Sequence, residues 1–384
     1  MPDTRLFPFM VGAKHNARFV VLEHRFYGDS QPFDDWSLEN MGYLNSEQAL
    51  ADLAYFVGSI NPTNKNDVLV IGGSYPGALS AWFRERYPHL AIGSWSSSGV
   101  VQPIVDFWKF DEQTYTSTLK SGEACPAAIQ ASQVYVTEQG ELRKAGATDT
   151  IIDKTLQGTG AEGMDTEDWM FFYADIFLES VQYGNRTKMC DLLADNASAS
   201  QDEIVELMTD FGHNVAGVNP GDYDVRVIAE TTIDVNSSAR PWTFQYCSEY
   251  GWFQVPSEEH VMRSTMLEHE YWYKMCARSF GKGMPVEPAA QQTRIDQGGW
   301  DISASNIFFA NGVEDPWKWA TRTDSNETLN QIARVSDCDN CGHCVELYTP
   351  SVDDAPELVE TREMITSWVD DLLSGKTTQK EFLQ

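Results

Sequence analysis

The 384-residue sequence predicts an α/β fold with a mostly parallel sheet and a large helical insertion. Three observations predict it. Short apolar runs alternate with helix-period segments towards both ends of the chain, the pattern of strands joined by crossover helices. One of those runs ends in a glycine-flanked serine that opens a helix. From about residue 103 to 290 the strand rhythm stops, and aromatic-rich helical segments replace it. The expected organisation is an α/β domain in two parts, 1–103 and 291–384, with 104–290 inserted between them as a helical cap.

Ala17 to Glu23 reads as the first buried strand, closing on Glu23-His24-Arg25-Phe26-Tyr27-Gly28. Asn45 has the side chain of a helix cap, and Gln48 three residues on completes a capping box. Behind it Leu50, Leu53, Ala54, Val57 and Ile60 share one face. Val68 to Ile71 is the next strand. It runs into Gly72-Gly73-Ser74-Tyr75-Pro76-Gly77, after which Ala78 to Trp82 resume with helical spacing. A serine pinned between a buried strand and a helix is forced out above the sheet edge, and the helix start behind it offers free N–H groups to a developing oxyanion. This is the nucleophile elbow of an α/β-hydrolase fold, with Ser74 as nucleophile and the Tyr75 N–H as oxyanion donor. Pro76 stands where the motif has its second glycine, a substitution that suits the first turn of a helix. A plain Gly-Ser turn is the alternative reading of this stretch alone.

Ala91 to Val101 reads as a further strand, rich in small residues. In the insertion, Glu167 to Tyr183 and His260 to Ser279 read as helices. Their aromatic residues (Trp169, Phe171, Phe172, Tyr173, Tyr271, Trp272, Tyr273) are expected to pack a core. The strand rhythm returns at Asn306 and ends at Asp315-Pro316-Trp317. Ala355 to Leu373 reads as a closing amphipathic helix.

Composition narrows the partners. A net charge of −30 argues against nucleic acid and anionic membrane, and 42% hydrophobic residues suit a globular chain. No apolar run is long enough to span a membrane. Sequons at Asn185, Asn196, Asn236 and Asn326 are expected glycosylation sites and favour a secretory route. Seven cysteines allow up to three disulfides with one left over. Met1 to Arg5 carries no signal-peptide pattern, so the secretory reading expects a different N-terminus.

The elbow needs a base and an acid further along the chain. Asp315 follows a buried strand in a loop opened by Asn311-Gly312. Of the seven histidines, His343 alone lies downstream of it. The long gap between Ser74 and Asp315 fits an inserted cap. A rival exists in Cys338-Asp-Asn-Cys341-Gly-His343-Cys344, whose spacing could suit zinc. These residues sit too close together to wrap a tetrahedral site easily, so no metal and no cofactor is expected. Cys344 is instead expected to form a disulfide that fixes the His343 loop, with its partner unassigned.

Four ordered motifs carry a resemblance: Glu23-His24-Arg25-x-Tyr27-Gly28, Gly72-Gly73-Ser74-Tyr75-x-Gly77, Asn311-Gly312-x-x-Asp315-Pro316-Trp317 and Gly342-His343-Cys344. Together they resemble the serine peptidases of the prolyl carboxypeptidase family, which includes dipeptidyl peptidase II and the thymus-specific serine protease. Gln245-Tyr-Cys247-Ser-Glu249-x-Gly251 is similar to that family's cap. The resemblance implies peptide substrates cut after proline or small residues near one terminus, in a secreted, lysosomal or vacuolar setting. It implies Ser74, Asp315 and His343 as the triad and Trp317 as a wall for proline, with a bystander in the core as the other reading of Trp317; Glu249 reads either as a substrate-amine anchor or as a structural salt-bridge partner. Homodimerisation is compatible with it. Family members carry further strands ahead of the Glu-His-Arg stretch that this chain does not show. Two other readings are therefore retained: an esterase or lipase using the same triad, and a catalytically impaired peptide-binding relative.

Overall fold

The computed structural model describes residues 6–375; Met1 to Arg5, read above for a leader, lies outside them. The chain divides into two compact units. One takes the stretch up to His24, Asn45–Pro103 and the chain from Gln291 onward; the other takes Arg25–Leu44 and Ile104–Ala290. Among the described residues the strands are β1 (Leu69–Gly73), β2 (Gly93–Ser97), β3 (Ile104–Asp106), β4 (Gly251–Phe253), β5 (Ile307–Gly312) and β6 (Gln331–Ser336).

The first unit is an α/β-hydrolase sheet in the order β1-β2-β5-β6, parallel throughout. β2 and β5 are buried along their whole length, as expected for parallel strands covered on both faces. The helix Pro356–Leu373 lays Leu358, Ile365, Trp368, Val369 and Leu372 inward, and Trp368 meets Phe308 of β5 edge-on at 5.7 Å. The helix Ser46–Ile60 starts where the sequence places it, with Asn45 Oδ1 accepting the Gln48 N–H at 2.9 Å. Its buried face is narrower than expected, because Ile60 is exposed. The helix Tyr75–Arg86 follows β1 directly.

One expected strand is absent. Ala17 to Glu23 is not a strand, and Phe19, Val20, Val21 and Leu22 are exposed. An apolar run becomes a strand only when a neighbour takes its backbone hydrogen bonds. Among the described residues, β1 pairs with β2 on one side, and no strand lies on its other side.

The second unit is helical, with long helices at Ala124–Lys144 and Thr166–Gln182 around one aromatic core. Trp169 stacks on Tyr173 at 5.0 Å, and Phe253 on Trp272 at 5.4 Å. Most of the aromatic residues read as core are buried, with Phe171 and Tyr273 packed at its edge. Two details differ from expectation. β3 and β4 form a small parallel pair, too short to show in a sequence pattern. The helix expected from His260 begins only at His269. The buried Asp111 carboxylate takes the N–H groups of Ser257 and Met262 and pairs with Arg263, which holds that backbone out of a helix. Disulfides Cys125–Cys190 and Cys247–Cys276 close two loops of this unit.

Asp175 sits wholly inside this core. The Tyr223 hydroxyl donates to its Oδ2 at 3.0 Å, and Oδ1 has no hydrogen-bond partner. Burial pushes its carboxyl up to about 7, against the opposing pull of Arg263 and Tyr223. The folded state therefore holds this proton more tightly than the unfolded chain. Stability from this residue is full below the unfolded carboxylate range and is lost as pH rises from about 4 to about 7, by on the order of 4 kcal/mol. Asp175→Asn is expected to stabilise the protein in urea melts at pH 8 and not at pH 4. Equal shifts at both values would contradict the account.

Candidate active site

In a parallel sheet all strand ends of one kind lie along one edge, and ligand sites form at the carboxyl edge. Ser74 follows β1, Asp315 follows β5 and His343 follows β6, so all three predicted residues stand past carboxyl ends.

Ser74 has φ 61° and ψ −128°, a strained conformation for a residue with a Cβ. Its N–H donates to Ser97 O of β2 at 2.8 Å, and its own carbonyl accepts the Ala78 N–H that starts the helix. The turn is tight enough to require its glycines. A Cβ on Gly72 would lie 2.0 Å from Pro76 O, and one on Gly77 would lie 2.7 Å from Ser97 O. Gly77 thus does the close packing, which leaves Pro76 free to occupy the first helical turn. Tyr75 follows with its side chain buried and its hydroxyl 3.1 Å from His24 Nε2. That bond gives the Glu23-His24-Arg25 stretch a place beside the elbow.

Asp315 and His343 are a buried pair, with Oδ2 to Nδ1 at 2.8 Å. The other carboxylate oxygen accepts the Trp317 N–H at 2.9 Å, which fixes its rotation. Burial opposes protonation of the His343 ring. The Asp315 charge, the Cys344 thiol and the hydrogen bonds both make to the ring outweigh it, raising its pKa well above that of an ordinary imidazole. The Trp317 ring is half-buried and 6.4 Å from the His343 ring. The Ser74 hydroxyl makes no hydrogen bond among the described residues, and catalytic bonds of this kind often tighten only when substrate is bound.

The loops that carry Asp315 and His343 are locked together by groups that sequence reading missed. A Cβ on Gly312 would lie 2.1 Å from Gly342 O, so the two backbones touch. The buried Glu314 accepts the Asn340 N–H at 3.0 Å, while its own N–H donates to Cys341 O. Glu346, three residues past His343, accepts the Trp95 Nε1–H at 3.0 Å, and burial pushes its carboxyl up. Arg362 donates to the carbonyls of Val345, Glu346 and Tyr348, pinning the turn after His343. Arg362 had a readable signal: it is a charge set in the apolar stripe of its helix. The expected Cys344 disulfide does not form. Cys338 pairs with Cys341, which also takes two thiolates from any zinc site, and Cys344 stays a thiol.

Glu249 lies half-buried in a π-helical turn, Tyr246–Tyr250, of the helical unit. The sequon residue Asn236 is exposed, and Asn185, Asn196 and Asn326 are half-buried. No helix among the described residues is long and apolar enough to cross a membrane.

The family model described as serine carboxypeptidase S28 matches residues 5–365. The chain belongs to that family. Members of the S28 family are serine peptidases, and an α/β-hydrolase sheet is the scaffold this chain supplies for that chemistry. Its relatives include the Arabidopsis thaliana protein named "Probable serine protease EDA2", 34% identical across 87% of this chain and 68% of the relative. The mouse thymus-specific serine protease is 24% identical across 95% of this chain and 76% of its own length. The human lysosomal Pro-X carboxypeptidase is 27% identical across 97% and 79%.

Proposed function

We propose that this S28 peptidase is an exopeptidase that cuts peptides after proline near a chain terminus, with Ser74 as nucleophile, His343 as general base and Asp315 as its orienting acid. The observation that carries the reading is the buried Asp315–His343 pair at the sheet edge where the strained Ser74 turn also lies. In this scheme Ser74 Oγ attacks the scissile carbonyl while His343 takes its proton through Nε2. Asp315 holds the Nδ1–H tautomer and stabilises the imidazolium. The Tyr75 N–H, at a helix start, receives the charge that develops on the carbonyl oxygen. The imidazolium then protonates the leaving amine, and water, activated by the same ring, hydrolyses the acyl-enzyme.

The preference for proline is supported by the half-buried Trp317 beside His343, an apolar wall suited to a pyrrolidine ring, and by the name of the Pro-X carboxypeptidase relatives. Glu249 is proposed to hold a substrate amine. The disulfides, the sequons and the relatives named lysosomal support a secreted, lysosomal or vacuolar setting.

The test compares proline peptides carrying one free terminus with a p-nitrophenyl ester, each assayed with the parent and Ser74→Ala. Release at the prolyl bond that depends on Ser74 is expected, with the blocked terminus showing which end is read. Turnover of the ester with every peptide left intact would replace this reading with an esterase. Peptide binding without turnover, unchanged in Ser74→Ala, would replace it with a peptide-binding protein.

A further inference from the structure

Ser98 directly follows β2 and is wholly buried. Its φ is 42°, a left-handed conformation that is unfavourable for a residue with a Cβ. Its N–H donates to Ala310 O of β5, the strand that leads to Asp315, at 2.7 Å. The carbonyl just ahead of it, Ser97 O, accepts the Ser74 N–H at 2.8 Å. Its Oγ accepts the N–H of Cys344, the residue after His343, at 2.9 Å. Cys344 is itself left-handed, with φ 54°, so this hydrogen bond joins two strained residues, one beside the nucleophile turn and one beside the base. Glycine would occupy φ 42° without strain, but it has no oxygen to offer the Cys344 N–H.

We propose that Ser98 is a positioning residue of the peptidase site, its hydroxyl setting the His343 loop against the same stretch of backbone that holds the nucleophile turn. The inference rests on the reading of Ser74 and His343 given above. Ser98 acts through its neighbours. Two adjacent residues hold both partners of the proton transfer, Ser97 by the Ser74 amide and Ser98 by the amide that follows His343. The Asp315 bond ties the imidazole to the loop after β5 through Nδ1 and leaves Nε2 to Ser74. The Ser98 bond ties the backbone beside that imidazole to the end of β2, where the elbow has its own hydrogen bond. Without the hydroxyl, the Cys344 N–H loses its acceptor and the turn after His343 can relax from its left-handed conformation. A displacement of about 1 Å between reacting groups costs up to about 10²-fold in rate.

Ser98→Ala and Ser98→Gly are compared with the parent in kcat and KM on the proline peptides and the p-nitrophenyl ester, in urea unfolding, and by NMR of the Cys344 amide and the His343 ring. Both variants lack the hydroxyl, and only alanine keeps the strained Cβ. Both are therefore expected to lose about 10–100-fold in kcat with KM within about twofold of the parent. Ser98→Gly is nonetheless expected to be the more stable of the two. A purely structural role would make activity follow stability, with Ser98→Gly the more active. Parental kcat in either folded variant overturns the proposal, and so does a kcat that recovers in Ser98→Gly along with its stability. Should Ser98→Ala not fold, Ser98→Gly decides by the same kcat. The NMR measurement needs no turnover. In both variants the Cys344 amide is expected to exchange faster with solvent and the His343 ring signals to move; unmoved signals overturn the proposal. A parent that turns over no substrate, with those signals displaced in Ser98→Gly, would count against the Ser74 reading and in favour of the link from Ser98 to the His343 loop.

Discussion

Replacing Ser74 with alanine is expected to lower kcat by about 10⁶-fold while leaving stability close to parental, and Ser74→Gly is expected to be equally inactive but more stable. At φ 61° and ψ −128° a Cβ is strained, at a cost on the order of 1–3 kcal/mol. Alanine keeps the Cβ and therefore the strain. Glycine removes the strain but adds about 0.5–1 kcal/mol of unfolded-chain entropy, so a net gain of up to about 2 kcal/mol remains. Urea unfolding of the three proteins measures this directly. A Ser74→Gly protein no more stable than Ser74→Ala would mean that the turn is not strained. The activity loss follows separately, since neither variant has an atom to attack with. Strain held at one residue of a tight turn is a pattern that functional positions share.

Asp315→Asn is expected to lower kcat by about 10⁴-fold. Both carboxylate oxygens accept hydrogen bonds, one from the Trp317 N–H and one from the His343 ring. Asparagine has a single acceptor oxygen. If it serves Trp317, the amide N–H₂ faces Nδ1 and forces the ring proton onto Nε2, where it can no longer accept from Ser74. If it serves His343, the Trp317 N–H loses its partner and the ring still lacks a counter-charge. Either arrangement also weakens the interaction that favours the imidazolium, so the pKa of His343 falls. In the proposed scheme activity requires the neutral ring, so in the parent it is expected to rise with pH through that raised pKa. In Asp315→Asn the residual activity is expected to rise at lower pH, read from kcat/KM profiles. A loss of less than tenfold would remove Asp315 from the mechanism.

The elbow was legible because its requirements are local. A buried strand, small residues and a helix start adjoin in sequence, and the structure shows the same residues making the turn. The Asn45 cap was legible for the same reason. What could not be read depends on which distant groups arrive as neighbours. Ala17 to Glu23 has the composition of a strand, but composition does not report whether a pairing strand is present. Cys344 looked like a disulfide partner because spacing cannot show that Cys338 and Cys341 take each other. Glu314 and Arg362 act on backbone groups far from them in sequence, and a charge bound to a carbonyl leaves no period to detect.

β1 combines a strand that is apolar on both faces with a place at the end of its sheet among the described residues. Its outward row of N–H and C=O groups is a template on which another strand can be laid down, and the exposed Phe19 to Leu22 run adds apolar surface to the same unit. Against this stands the net charge of −30, which keeps copies of the chain apart in solution. The two effects differ in range. Charge repulsion extends only about 10 Å at 0.1 M salt and contracts further as salt is added, whereas strand pairing acts at contact and is insensitive to it. Whether these chains stay dispersed is therefore set by ionic strength as much as by concentration.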